Sequence, residues 1–234
     1  MFVRIILCTI ALWTPATAQK DLLCTNAGPI ADSLIRALPR TDSTYATLGI
    51  LFTNRIFLKQ SSDGRSDADS ALYYLRTALA TTPSPQLAAY ECIARALRAS
   101  KDGWWPKING ATKTRATQAF DDCDSLARQY PNDLRVQFLT ANLLQEGDRL
   151  DQKKYYWQRA WDILAHLQTC ALSQPEFFTD EISANILLNQ GKLVRKLRLY
   201  EKNSDAEAVK LWERTIREYP NTNAATNARL QLNS

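Results

Sequence analysis

The amino-acid sequence predicts an all-α protein built as a solenoid of helical hairpins, with about ten helices. Helical apolar periodicity recurs along the chain, whereas strand-like alternation is rare and only 7 glycines are present. Prolines follow successive helical runs at intervals of 44 to 48 residues, which indicates a repeat of about 45 residues. These prolines are Pro39, Pro83, Pro131, Pro175 and Pro220. Because one hairpin cannot bury its apolar stripe alone, we expect neighbouring hairpins to share a core.

The periodic segments place the helices in order along the chain. The predicted ranges are 22–38, 41–58, 68–80, 85–100, 111–130, 134–146, 152–170, 175–201, 206–219 and 223–232. Ser84-Pro85 and Asn132-Asp133 provide N-cap chemistry for the fourth and sixth helices. Gly191 falls inside the eighth, where one glycine costs about 1 kcal/mol and need not end a helix.

The first 18 residues predict a targeting segment. Arg4 precedes an apolar run, Ile5 to Trp13, that is too short to span a membrane, and Ala16-Thr17-Ala18 supplies the small residues of a cleavage site. We therefore expect a signal peptide over residues 1–18 and one helical-repeat domain over residues 19–234. The protein would then be exported to the bacterial periplasm or the cell exterior. An uncleaved anchor helix is the alternative.

The distribution of charge and the lack of catalytic motifs in the sequence restrict the classes of function that we expect. The 29 basic and 24 acidic side chains are spread along the chain, so nucleic acid is not an expected partner. The basic run over 192–202 allows a weak membrane contact, but a solvated helix face explains it more simply. No catalytic or nucleotide-binding motif occurs, and we predict neither an enzyme nor a cofactor. The single histidine, His166, lies four residues before Cys170, and we interpret it as structural.

Two residue clusters invite a more specific interpretation. Asp121 and Asp124 share one helix face, which we expect to be solvated and not to hold a metal. Four cysteines follow the predicted cleavage site: Cys24, Cys92, Cys123 and Cys170. Their spacing fits no zinc site, while export permits disulfides. If helices four and five pair antiparallel, Cys92 and Cys123 both face the seam and form the first-choice disulfide pair. Buried free thiols are the alternative.

The unit from Tyr45 to Pro83 resembles a tetratricopeptide repeat. Tyr45, Leu48-Gly49 and Phe52 lie on successive turns, and Ala71, Leu75, Ala78 and Pro83 follow in the second helix. The resemblance is equally good over Asp205–Leu232, weaker over Ala111–Gln145 around Tyr130-Pro131-Asn132, and poor over Leu150–Tyr200. It implies a right-handed solenoid whose concave face, made by the first helix of each pair, binds a peptide or a partner domain. On this chain that face would include Thr53, Asn54, Arg135, Phe138, Asn142 and Gln145.

Two function classes therefore remain open. The first is an exported scaffold that binds a protein or peptide in the cell envelope. The second is a solute-binding or transport-accessory protein, with a pocket lined by the aromatic side chains of helices seven and eight. Trp104-Trp105 is either core or an exposed aromatic anchor of the kind that contributes binding energy in interfaces.

Overall fold

The computed structural model describes residues 28–57, 61–101, 110–197 and 204–233, and side chains from residue 33 onward. These residues form ten α-helices and no strand. The helices are α1 (Gly28–Ala37), α2 (Asp42–Phe57), α3 (Gly64–Thr81), α4 (Pro85–Lys101), α5 (Gly110–Gln129), α6 (Leu134–Leu144), α7 (Lys153–Cys170), α8 (Asp180–Leu197), α9 (Ser204–Glu218) and α10 (Asn223–Leu232). The predicted all-α class is confirmed.

Each helix packs against the next one along the chain, and the even-numbered helices also touch one another. Contacts join α2 to α4, α4 to α6, and α8 to α10. The odd-numbered helices α1, α3, α5 and α9 each end two residues before a proline. Pro175 instead lies in the turn between α7 and α8. Four of the five prolines therefore mark the ends of helices, and Pro175 does not.

Helix boundaries follow local capping. The α3 helix begins at Gly64, four residues earlier than predicted, because the Asp63 carboxylate accepts hydrogen bonds from the amides of Arg65 and Ser66, each at 3.1 Å. The connection between α2 and α3 is therefore shorter than the predicted ranges 41–58 and 68–80 imply. The α8 helix begins at Asp180, five residues later than predicted, but it passes through Gly191 without a break.

Two glycines permit the closest approach between paired helices. A Cβ at Gly49 of α2 would lie 2.5 Å from Cγ of Leu75 in α3. A Cβ at Gly191 of α8 would lie 2.4 Å from Nε1 of Trp212 in α9. Trp212 is fully buried, and its indole donates a hydrogen bond of 3.2 Å to the Leu188 carbonyl. In both pairs a large side chain of the odd-numbered helix fills the space that the glycine leaves.

The core is divided into two apolar clusters. The larger one runs from Ile35 in α1 to Leu193 in α8 and includes Leu48 and Leu75. The smaller one gathers around Trp212, with small residues from α8, α9 and α10. Burying a single leucine or phenylalanine side chain contributes about 1.5–3 kcal/mol, so the shared core is the main source of stability.

We expect Gly191→Ala to destabilise the protein. Alanine favours a helix by about 1 kcal/mol over glycine, but its methyl group would displace the buried Trp212 ring, and such overpacking costs about 1–3 kcal/mol. The midpoint of urea unfolding should therefore fall. Gly110→Ala is the matched control, because a Cβ there meets no atom within 4 Å. A Gly191→Ala variant as stable as Gly110→Ala would contradict this packing.

Candidate functional site

The structure narrows the predicted partner-binding face. Thr53 and Phe138 are each 1% exposed and Gln145 is 3% exposed, so these three side chains lie inside the helix stack. Thr53 donates to the Gly49 carbonyl at 2.8 Å. Such residues cannot contact a partner directly. Of the predicted set, Asn54, Arg135 and Asn142 keep partial exposure.

Asn142 instead forms the centre of a polar network between α6 and α8. Its side-chain oxygen accepts a hydrogen bond of 2.8 Å from Asn189 and one of 3.4 Å from Gln145. Its amide nitrogen donates to the Phe138 carbonyl at 3.0 Å. The network joins positions 47 residues apart in the chain and fixes the rotamer of each amide.

Two lysines of α8 extend this network toward solvent. Lys192 donates to the Asn189 side-chain oxygen at 3.3 Å. Lys196 donates to the Gln145 carbonyl at 2.7 Å and to Asp148 at 2.9 Å, and it lies 5.4 Å from the centre of the Trp157 ring. Arg135 lies two turns before Asn142 on α6 and is also partly exposed. Asn189 is 3% exposed and, like Gln145, supports the network from inside the helix stack. We call the partly exposed Arg135, Asn142, Lys192 and Lys196, with the buried Asn189 behind them, the amide–lysine face.

The amide–lysine face presents three cationic side chains, those of Arg135, Lys192 and Lys196. Lys196 forms an ion pair with Asp148. Partly buried amides and ammonium groups offer donors for carboxylates and for peptide carbonyls. The arrangement can therefore bind an extended chain with acidic side chains.

A second concave surface lies along α3. Its cavity measures about 430 Å³ and is lined by Asp63, Arg65, Ser66, Asp69, Ser70, Tyr73 and Tyr74. Tyr73 is 60% exposed and packs edge-on against Tyr74 at 5.1 Å between ring centres. We call this surface the tyrosine groove. Sequence reasoning missed this groove. The adjacent tyrosines Tyr73 and Tyr74 are the sequence feature that marks it, but helical periodicity alone does not distinguish an exposed aromatic ring from a packed one.

The acidic motif of α5 is divided between solvent and interior. Asp121 is exposed, as expected, and accepts a hydrogen bond of 2.7 Å from Tyr156. Asp124 is only 4% exposed, so the expectation of a solvated face is wrong for this residue. Its carboxylate binds Arg159 at 2.7 Å and Arg128 at 3.1 Å, and it accepts a hydrogen bond from Tyr155.

These contacts set the protonation of Asp124. Burial alone would raise the pKa of the carboxyl group, but the hydrogen bonds from Tyr155, Arg159 and Arg128 outweigh burial and lower it. The same contact with Asp124 raises the pKa of the Tyr155 hydroxyl. The cluster therefore joins α5 to α7 as an ion-paired structural contact.

The remaining predicted residues have different outcomes. Trp104 and Trp105 lie outside the described residues, as do Cys24 and residues 1–18.

Cys92 and Cys123 are buried free thiols that interact with each other. The pairing is therefore possible sterically, and the disulfide stays a prediction.

Two of the aromatic side chains of α7 pack into the core. Tyr156 is fully buried with its ring 5.2 Å from Phe120, and Trp157 is 5% exposed. The predicted aromatic-lined cavity therefore loses these two rings to the core. Cys170 lies 3.6 Å from Nε2 of His166 on the surface of α7, a weak contact between neighbouring turns.

No protein-family model, curated protein or solved structure matches the chain. Within the described ranges, no helix has both the length and the apolarity needed to cross a membrane. The same part of the chain brings together no group of three or more metal-binding side chains. Function must therefore be argued from the surfaces themselves.

We expect the Asp124 cluster to make stability depend on pH. Since the folded-state pKa lies below the unfolded value of about 3.9, the folded protein binds fewer protons between the two values. The contribution of Asp124 to the free energy of unfolding is present above about pH 4 and is lost as the pH falls through the folded-state pKa. Urea unfolding at pH 7 and at pH 3 should show this loss.

Asp124→Asn should lower the free energy of unfolding at pH 7 by about 1–3 kcal/mol and weaken its decline toward pH 3. Asp162→Asn on α7 is the control, because Asp162 is exposed and accepts only a local hydrogen bond from Gln158. Equal pH profiles for wild type and Asp124→Asn would contradict the assignment.

Proposed function

We propose that the chain is an exported helical-repeat scaffold of the cell envelope that binds a segment of another protein along the amide–lysine face. The observation that carries this proposal is the network joining Asn142 of α6 to Asn189 of α8 at 2.8 Å. It fixes the partly exposed Asn142 and, through the buried Asn189, the partly exposed Lys192 at one surface. Such preorganised polar groups reduce the entropic cost of binding.

The proposal includes a tetratricopeptide-like arrangement. In it the even-numbered helices line one side of a right-handed solenoid with a repeat of about 45 residues. The contacts of α2 with α4, of α4 with α6, and of α8 with α10 support this arrangement. Glycine-mediated packing of α2 on α3 and of α8 on α9 supports it independently.

The chemistry of the surface favours an acidic, extended partner segment. Lys192, Lys196 and Arg135 attract carboxylates and steer their approach, while the partly exposed Asn142 amide can pair with peptide groups. A partner bound in this way should dissociate more readily at high salt, because partly exposed charges are screened.

Charge reversal tests the interface. In an affinity pull-down of the protein from its own envelope extract, Lys192→Glu should reduce recovery of the specific partner about tenfold, since it places a carboxylate against acidic groups. Lys210→Glu is the matched control, because Lys210 is exposed on α9, away from this face. Equal recovery with the two variants would place the interface elsewhere, and recovery of no specific partner would reject the scaffold.

A second candidate function is binding of a small solute in the tyrosine groove. The cavity of about 430 Å³ favours it, since ligand sites typically measure about 300–1,000 Å³. Tyr73 offers an exposed ring for stacking, and the serines and charged groups beside it offer hydrogen bonds. This site replaces the pocket expected at helices seven and eight.

Native mass spectrometry of the protein incubated with a small-molecule extract of its envelope tests this second function. A ligand of the groove should be retained by wild type and lost, or weakened about tenfold, in Tyr73→Ala. Tyr130→Ala serves as control, since Tyr130 is 42% exposed but lies after α5. A ligand retained equally by both variants does not occupy the groove.

A further inference from the structure

The thiols of Cys92 in α4 and Cys123 in α5 lie against each other in the core. Cys92 is 5% exposed and Cys123 is fully buried. Each thiol changes the pKa of the other, and α4 and α5 pack directly on each other. The hydroxyl of Thr140 in α6 lies 3.3 Å from the Cys123 sulfur. The contact therefore sits where three helices meet.

The surroundings of the two sulfurs differ. Arg95 donates a hydrogen bond of 3.2 Å from Nη2 to the Cys92 sulfur. The guanidinium is itself fixed by Glu91 and Asp122, each at 2.8 Å. Cys123 has no guanidinium among its described contacts. Cys92 is therefore the sulfur better placed to carry a negative charge.

The protonation of the pair follows the same asymmetry. The hydrogen bond from Cys123 lowers the pKa of the Cys92 thiol, and Arg95 lowers it further against the opposing effect of burial. The hydrogen bond to Cys92 and burial both raise the pKa of the Cys123 thiol. Thiol exchange needs one thiolate to attack first and a second thiol to resolve the mixed disulfide.

We propose that Cys92 and Cys123 form an intramolecular disulfide by exchange with an external disulfide, and that Cys92 is the attacking sulfur. Its thiolate attacks the external disulfide, forms a mixed disulfide and releases one external thiolate. Cys123 then loses its proton, attacks the Cys92 sulfur and releases the second external thiolate. Two electrons pass from the cysteine pair to the external disulfide, which is reduced to two thiols.

Burial decides when this exchange takes place. Because Cys92 is 5% exposed, an external disulfide reaches it only while α4 and α5 are apart, during folding. The contact that favours the Cys92 thiolate at that stage is the one with Arg95, which lies three residues later on α4 itself. Once formed, the bond closes a loop of about 31 residues between the two helices. It limits the freedom of the unfolded chain and so stabilises the α4–α5 pair.

Refolding of the full chain in reduced and oxidised glutathione tests the proposal. After alkylation in denaturant and proteolysis, the oxidised sample should contain a peptide pair linked through Cys92 and Cys123. Its melting temperature should exceed that of the sample reduced with dithiothreitol by about 5–10 °C. This comparison uses wild type alone, so it does not depend on the folding of a variant.

Variants assign the bond to this pair. The difference between oxidised and reduced samples should disappear in Cys92→Ser and in Cys123→Ser and persist in Cys170→Ser. Full alkylation of both Cys92 and Cys123 in the oxidised sample, or a bridge from either one to another cysteine, would overturn the proposal. The result is independent of partner binding, so it can fail while the scaffold function stands.

Discussion

The close approach of paired helices at glycine is the constraint on which the rest of the structure depends. At Gly49 and Gly191 the partner helix places Leu75 and Trp212 where a side chain would otherwise stand. This packing brings α3 against α2 and α9 against α8 at short distance, so each large side chain becomes fully buried. Dense packing of this kind tolerates neither added volume nor a shift in register.

The position of the polar surface follows from that packing. Once the odd-numbered helices cover one side of their even-numbered neighbours, other faces of α6 and α8 are left to meet each other through side chains. Asn142 and Asn189 meet there, while Lys192 and Lys196 reach toward solvent. The proposed binding surface is therefore made by sequence-distant residues and is held in place by the core.

Features encoded over one or two helical turns could be predicted from the sequence. The all-α class followed from apolar periodicity, and the close packing at Gly49 followed from the Leu48-Gly49 pattern. The α8 helix passes through Gly191 as expected, because the cost of one glycine is small beside the burial of Trp212.

Features that depend on distant partners could not be predicted. The sequence predicts a solvated face for Asp124. Arg159 and Tyr155, more than 30 residues later in the chain, instead bury this residue and bind its carboxylate. Gln145 shares a polar helix face with Arg135, yet α8 covers it. Periodicity identifies which residues share a face. It does not identify what lies opposite that face, and this decides whether a polar residue is a recognition group or a structural one.

Hydrogen–deuterium exchange of the protein, free and with its captured partner, tests most directly the claim that the partner binds the amide–lysine face. We predict added protection in α6 and α8. Protection confined to α3 and α5 would contradict the claim.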